Sequence, residues 1–417
     1  MTQRSSVLAL GWLAFFMADV RDGLGPFLAT YLQQIGLRQE LIGTTMTAGG
    51  LAAVAMAPLA GAWVDRSQAK RAMTVIAALA ILLASALAFS TRSARWLVAS
   101  QVITGLAGAV LAATMAALTL GLAHAQGFKQ QMGRNEAFSH AGNMLSAIGA
   151  GLVAHWWGAP WILAIMGAMA LGMLLSVVRI RAKDIDHAAA RGMNTLSDTP
   201  AQAGAEAIPV SAGAPHGFGT HRPLILLALA LALFHLGNAA MLPLLNQRLA
   251  ATVADSSAML WTGIAIVIAQ ATMVPVALWV SRSRRFDISW FVYAAILVLP
   301  LRGLLAYAFT SAWNNIPVQI LDGLAAGALG VATPLLVQQY TQGSGRFNTA
   351  LGWVMTLQGV GAALSPSIAN WVVGKELHFG PAFVVLAGAG LIALPLYWAA
   401  ERARSTFKNT SQPLLVS

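Results

Sequence analysis

Apolar runs of roughly 20 residues alternate with short polar breaks along the whole chain. A helix of that length crosses the roughly 30 Å hydrocarbon core of a bilayer. The pattern predicts twelve such helices, over residues 7–32, 41–64, 72–90, 96–122, 137–157, 161–178, 223–245, 260–280, 290–309, 318–340, 350–373 and 381–399. The first run follows a single Arg4, is too long for the apolar core of a leader, and precedes no small-residue cleavage site. It is therefore read as a retained helix. Spans four and ten are rich in Gly and Ala, which lets neighbouring helices approach closely.

The basic residues take sides. With the N-terminus in the cytoplasm, 18 Lys and Arg fall in cytoplasmic loops and tails against 5 on the other face, and only Arg21 and Arg302 lie inside spans. This asymmetry predicts an inner-membrane protein with both termini cytoplasmic. Residues 182–221 form the longest polar stretch, rich in Ala, Gly, Pro and Ser, and read as a flexible linker. The expected organisation is a six-helix bundle over 1–180, a linker over 181–222, a second six-helix bundle over 223–400 and a cytoplasmic tail over 401–417.

The halves repeat weakly. Gln101 and Gly105 in span four match Gln319 and Gly323 in span ten, Gly133-Arg134 matches Gly345-Arg346, and Pro26 matches Pro243. The offsets are 218, 212 and 217 residues, close enough to one value to indicate a duplicated unit. Parallel repeats of this kind put a substrate site between the halves, near the midplane.

Composition narrows the class. Of 417 residues, 58% are hydrophobic and 9% charged, whereas a soluble domain carries about a quarter charged residues. Cysteine is absent, which excludes disulfides, thiolate metal sites and cysteine nucleophiles. The net charge of +11 sits in loops, so topology explains it better than nucleic-acid binding. No Gly-x-x-x-x-Gly-Lys loop is present to cradle a phosphate, and no cluster has metal-ligand spacing. No cofactor is expected. A membrane enzyme would need a reactive His–Asp pairing, and the His are scattered.

The loop after span two reads Gly61-Ala-Trp-Val-Asp65-Arg66-Ser-Gln-Ala-Lys70-Arg71. It resembles the signature loop of the major facilitator superfamily: Gly, three residues, Asp, Arg, then a basic pair. It departs at Gln68, where the family usually has Gly, and at Ala69, where it often has Arg. With twelve spans and the central linker, the resemblance covers the whole chain. It implies an all-α membrane protein of two pseudo-symmetric six-helix bundles that works as a monomeric transporter rather than an enzyme. It also implies a cytoplasmic latch. Asp65 would sit at the N-terminus of span eleven, where the helix dipole and free N–H groups favour an anion. Arg66 and Arg71 would tie neighbouring helix ends, closing the cytoplasmic side in the outward-open state. A plain topology signal is the alternative. The matching second-half loop, Ser281 to Arg285, lacks the Asp. Two further family signatures are altered: Gln101 stands where many proton-coupled members carry Arg, and span five has no Gly-Pro.

Charges inside spans are costly, at about 2.5–3.5 kcal/mol each on insertion scales, and tend to face a cavity. Span one carries Asp19, Arg21 and Asp22, followed by Gly25 and Pro26, which loosen the helix. Asp19 and Asp22 share a face and repel, so one of the two is expected to hold a coupling proton while Arg21 orients it or binds an anionic group. The alternative is an ion-pair knot that only holds packing. In span five, Glu136, His140 and Asn143 form a polar stripe, with Glu136 as a proton carrier or a solvated helix-start acid. His140 would change charge near neutral pH. Span seven carries His235 and Asn238 on one face. Arg302 and Asp322 either pair with each other, or Asp322, beside Gln319, faces a cavity and completes a proton or cation site. Trp12, Phe15, Phe16, Phe234 and Trp353 read as packing and lipid contacts.

The expected function is proton-coupled efflux of a small organic solute by alternating access. Proton-coupled uptake or exchange of an organic anion is the alternative, with Arg21 and Arg302 as ligands. The expected partners are a small-molecule substrate, protons and membrane lipids.

Overall fold

The computed structural model describes residues 2–22, 24–191, 222–252, 255–283, 285–340 and 347–410. Thirteen α-helices and no strands occur among them: α1 (Thr2–Asp22), α2 (Leu24–Gln34), α3 (Gln39–Arg66), α4 (Lys70–Ser90), α5 (Ala94–Trp157), α6 (Ile162–Arg179), α7 (Arg222–Asn238), α8 (Met241–Thr252), α9 (Asp255–Arg282), α10 (Ile288–Ala308), α11 (Asn315–Tyr340), α12 (Phe347–Val373) and α13 (Phe379–Thr410). Each of the twelve expected spans is helical. Span seven is split in two at residues 239–240, whereas spans four and five run together as α5 with a break at His124, whose φ of 52° is left-handed. Among the described residues, nine segments are long and apolar enough to cross a membrane. Expected spans one, five and eleven fall short, being diluted by Asp19 and Arg21, by His140 and Asn143, and by Gln358, Ser365, Ser367 and Asn370.

Exposure is inverted relative to a soluble protein. Ile76 and Leu83 on α4 are exposed, as are Leu301 and Leu304 on α10, while Ser100, Thr114, Asn246 and Gln247 are fully buried. Such a surface suits lipid, not water. Exposed tryptophans gather at helix ends, among them Trp96, Trp157, Trp161, Trp290, Trp313 and Trp371, where an amphipathic ring suits the membrane interface.

The described helices form two compact units. One comprises α1–α6 with Asn246–Val267. In it α5 is the hub, packing on α1, α3 and α4 around Leu10, Leu13, Leu28, Ile42 and Ile81. Thr262 Oγ1 lies 3.2 Å from Thr30 Oγ1 in this unit. Residues 182–191, the start of the stretch expected to be a flexible linker, pack against α5. Ile185 and Ala190 are buried there, Asp186 N donates to the Gly121 carbonyl at 3.0 Å, and Asp186 Oδ1 caps the turn at Ala188 and Ala189. Ser6 closes this segment onto α1, donating to Asp184 Oδ2 at 2.6 Å and accepting from Arg181 N at 3.3 Å. Residues 192–221 lie outside the described residues. The second unit holds α7, α8 to Leu245, and the chain from Ile268 through α13. There α7 packs on α12 and α13, and α10 on α11 and α13, around Phe234, Phe383 and Tyr397.

The internal repeat has a steric basis. A Cβ on Gly105 would lie 2.0 Å from the Gly49 carbonyl oxygen, and one on Gly323 would lie 2.6 Å from that of Ala269. The matched glycines therefore mark matched close crossings, α5 over α3 and α11 over α9. A second pair follows the same rule: a Cβ on Gly142 would approach the Phe15 carbonyl oxygen to 2.0 Å, and one on Gly361 that of Ala232 to 2.1 Å.

The crossings generate a stability prediction. Gly105→Val or Gly361→Val forces backbone apart and costs about 1–3 kcal/mol or more, seen as a lowered melting temperature of the purified protein in detergent. Gly388→Ala, with nothing within 4 Å of the new methyl, leaves it unchanged or slightly raised. Parent-like melting of both valine variants would mean that the crossings are looser than described.

Candidate functional site

The break in span seven positions polar residues. A proline lacks an N–H and crowds the carbonyl four residues back. For Pro243 that position is Ala239, just after α7 ends. In this break the Ala240 amide donates to Ser365 Oγ of α12 at 2.9 Å, which satisfies a group that lipid could not. In the first half, Ser146 of α5 donates to Asp19 Oδ1 at 2.5 Å. Asp19 is only 2% exposed and sits in the seam between α1 and α5. The side chain of Asp22 lies outside the described residues.

Arg21 is half-buried and lines a cavity of about 660 Å³ in the first unit, walled by α1–α5. Gln101, Thr104 and Ser85 share that wall, which is otherwise aliphatic, Ala and Gly. Glu136 is exposed, and His140 and Asn143 are half-buried on the second part of α5; none of the three lines this cavity. Trp12, Phe15 and Phe16 stack among themselves and Trp12 meets Phe138 edge-on, while Trp353 is half-exposed.

In the second unit the structure brings together residues that the sequence places on three helices. Arg302 of α10 pairs with Asp322 of α11, Nη1 to Oδ1 at 2.8 Å. Asn238, at the end of α7, bridges them: its amide donates to Asp322 Oδ1 at 3.1 Å and its oxygen accepts from Arg302 Nη1. Arg302 is 1% exposed and Asp322 16%, so the acid is the accessible member. Nε and Nη2 of Arg302 make no hydrogen bond among the described residues, nor does the amide of Gln319, one turn before Asp322 and fully buried. His235 is half-buried one turn before Asn238. Unsatisfied donors beside a buried ion pair leave the network able to exchange partners.

At the loop after α3, Gly61 is half-buried, and Asp65 and Arg66 are exposed at the helix end. Lys70 is fully buried and donates to the Ser67 carbonyl at 2.6 Å. Arg71 donates Nε to the Val177 carbonyl at 3.2 Å, capping the C-terminus of α6 with a cation. Part of the approach to span eleven, residues 341–346, lies outside the described residues.

Sequence reasoning missed a cluster at the end of α13. Glu401 accepts from Tyr340 OH at 2.6 Å and from Ser289 Oγ at 2.8 Å, and lies 3.6 Å from Arg404, which also donates to Gln339 at 2.6 Å. These contacts join α10, α11 and α13 at one end. Glu401 read as the first residue of a solvated tail; its partners are 61 and 112 residues away in sequence.

A family model described as Major Facilitator Superfamily matches residues 10–348. A protein of Mycobacterium tuberculosis (strain CDC 1551 / Oshkosh), described as an uncharacterized MFS-type transporter, is 38% identical over 420 residues, spanning 98% of this chain and 96% of its own length. Among solved structures, the nucleoside transporter NupG superposes with a TM-score of 0.72 at 15% identity, over 95% of this chain and 98% of that one. A D-xylose-proton symporter gives a TM-score of 0.68 at 15% identity, over 95% and 97%.

The ion pair can be tested as a unit. Removing one member strands a buried charge, at a typical cost of about 3–5 kcal/mol, whereas replacing both with apolar groups of similar volume is nearly neutral. Asp322→Ala therefore melts well below the parent in detergent, and adding Arg302→Met restores most of the loss. Equal melting of the single and double variants would contradict the pairing.

Proposed function

The chain belongs to the major facilitator superfamily of membrane transporters, and from that premise we propose that it is a proton-coupled secondary transporter that exports a small organic solute across the inner membrane by alternating access. In this reading both termini are cytoplasmic, as the loop charges favour. The observation that carries the coupling is the Asn238–Arg302–Asp322 network, an ion pair inside membrane-spanning helices with one accessible acid. Ionised, Asp322 holds Arg302 and accepts from Asn238. Protonated, it attracts Arg302 less, and Arg302 retains the Asn238 oxygen as its partner. Asn238 stands at the break between α7 and α8, so the change of partner is delivered to a hinge. A proton bound at Asp322 thus favours one setting of that hinge, and its release the other.

Asp19 and Asp22 are the other candidate proton carriers. Asp19 is sealed against Ser146, which favours the more accessible Asp322 as the coupling acid. Glu136 is exposed, which suits exchange with bulk water rather than coupling. Gly61, Asp65, Arg66, Lys70 and Arg71 form the cytoplasmic gate in this reading. Arg71 on the α6 carbonyls supports a role in fixing helix ends.

A second reading, proton-coupled uptake or exchange of an organic anion, is favoured by Arg21, the one charged side chain among the described residues that line the cavity of the first unit.

Proteoliposomes loaded with a pH-sensitive dye separate these readings. A solute that is a substrate shifts the internal pH when added, and the sign of the shift gives the direction of coupling. Asp322→Asn abolishes the shift while leaving solute counterflow and elution from a sizing column intact. A normal pH response in Asp322→Asn would remove this acid from the coupling step.

A further inference from the structure

We infer that the adjoining ends of α4 and α6 hold an anionic phospholipid, its phosphate against Arg179, Arg181 and Lys183 and its acyl chains along the outer faces of the two helices. The inference goes beyond the transport reading and needs only a chain that crosses a bilayer. The two ends are joined by Arg71 at the start of α4, whose Nε donates to the Val177 carbonyl at 3.2 Å and whose Nη2 faces that of Val178 at 3.5 Å. Around this contact four cations are exposed: Arg66 at the end of α3, Arg179 at the end of α6, and Arg181 and Lys183 just beyond it. Among the described residues none of the four makes an ion pair or a side-chain hydrogen bond. The acids that follow are engaged elsewhere. Asp184 accepts from Ser6, and Asp186 caps its own turn and lies 3.8 Å from His124. The matched corner of the second unit, the start of α10 and the end of α13, keeps its charge to itself: Arg404 lies 3.6 Å from Glu401, and Arg402 stacks on Trp398. A topology signal would serve equally well in either form, so it does not account for the open cations of the first unit.

Beyond the cations both helices are bare. Ile76, Leu79 and Leu83 of α4 are exposed at i, i+3 and i+7, and Leu171, Leu174 and Val178 of α6 at the same spacing, so each helix presents one aliphatic stripe. The helix from Arg71 to Leu83 is about 18 Å long at 1.5 Å per residue, against about 15 Å for half of a 30 Å hydrocarbon core. The stripe thus matches one leaflet, with charge at its polar end. Trp63, exposed in the last turn of α3, stands at the same end, where an indole suits the headgroup level. Guanidinium groups fork onto phosphate oxygens, and each Lys or Arg close to an anionic bilayer surface strengthens attachment by about fivefold. A zwitterionic lipid offers the same chains without net charge, so this corner discriminates by headgroup.

The full-length protein in neutral detergent is titrated with short-chain phosphatidylglycerol and with phosphatidylcholine of the same chains, and bound lipid is counted by native mass spectrometry. Phosphatidylglycerol is expected to be held about tenfold or more tightly. That preference falls by about tenfold or more in Arg179→Gln/Arg181→Gln/Lys183→Gln and survives in the charge-keeping Arg179→Lys/Arg181→Lys. Arg282→Gln/Arg285→Gln, which removes charge from the second unit, leaves it unchanged. Glycerol phosphate, a headgroup without chains, does not displace the lipid at equal concentration. Equal retention of the two lipids, a preference unmoved by the neutral triple variant or lowered as much by the second-unit variant, or displacement by glycerol phosphate would overturn the proposal. Should the neutral triple variant fail to insert, the parent protein decides: in vesicles containing a photoactivatable phosphatidylglycerol, cross-linked peptides map to the ends of α4 and α6, and adducts confined to other helices overturn the site.

Discussion

Hydrocarbon supplies no hydrogen-bond partners, and the polar features of this chain follow from that constraint. Every helix that is interrupted, and every charge kept inside a span, must find its partner within the protein. At Ala240 the partner is a serine hydroxyl from α12; at Asp19 it is a serine hydroxyl from α5. The Arg302 guanidinium finds a carboxylate and an amide, though not enough acceptors for all of its donors. A soluble protein would leave these groups to water. Here they fix which helices touch.

The same constraint explains why the two halves look alike where their sequences have diverged. Packing in lipid relies on close backbone approach rather than on expulsion of water. A glycine at a crossing is hard to replace, since any side chain would strike a carbonyl oxygen, whereas lipid-facing leucines and valines exchange without penalty. Gly105 and Gly323 persist for that reason, and Gly142 and Gly361 with them. Polar content diverged instead: the cavity that Arg21 lines belongs to one half, and the ion pair of Arg302 with Asp322 to the other.

Much of this was legible in the chain. Helix positions follow from run length. The Gln-x-x-x-Gly repeat announced the duplicated crossing. The loop at Asp65 carried the family resemblance, which the match over residues 10–348 bears out. Partnership across distance was not legible. Arg302 and Asp322 could be listed as opposite charges, but whether they met was open, and nothing near Asn238 in sequence marks it as their bridge. Glu401 fell at the start of the expected cytoplasmic tail, and Ser289 and Tyr340, which hold it, come from far upstream. Residues 182–191 read as linker because their composition is polar, and the two apolar contacts that dock them are too sparse to show as periodicity.

Arg71 clasping the last carbonyls of α6 has a mechanical corollary. Four residues after Val177, the backbone at Arg181 is gripped by Ser6, and Ser6 in turn holds Asp184. The first turn of α4, the exit of α6, the N-terminal helix and the segment leading out of the bundle are thus riveted at one node. None of the four can swing alone. Residues 181–184 are thereby tied, through the end of α6, to the start of α4.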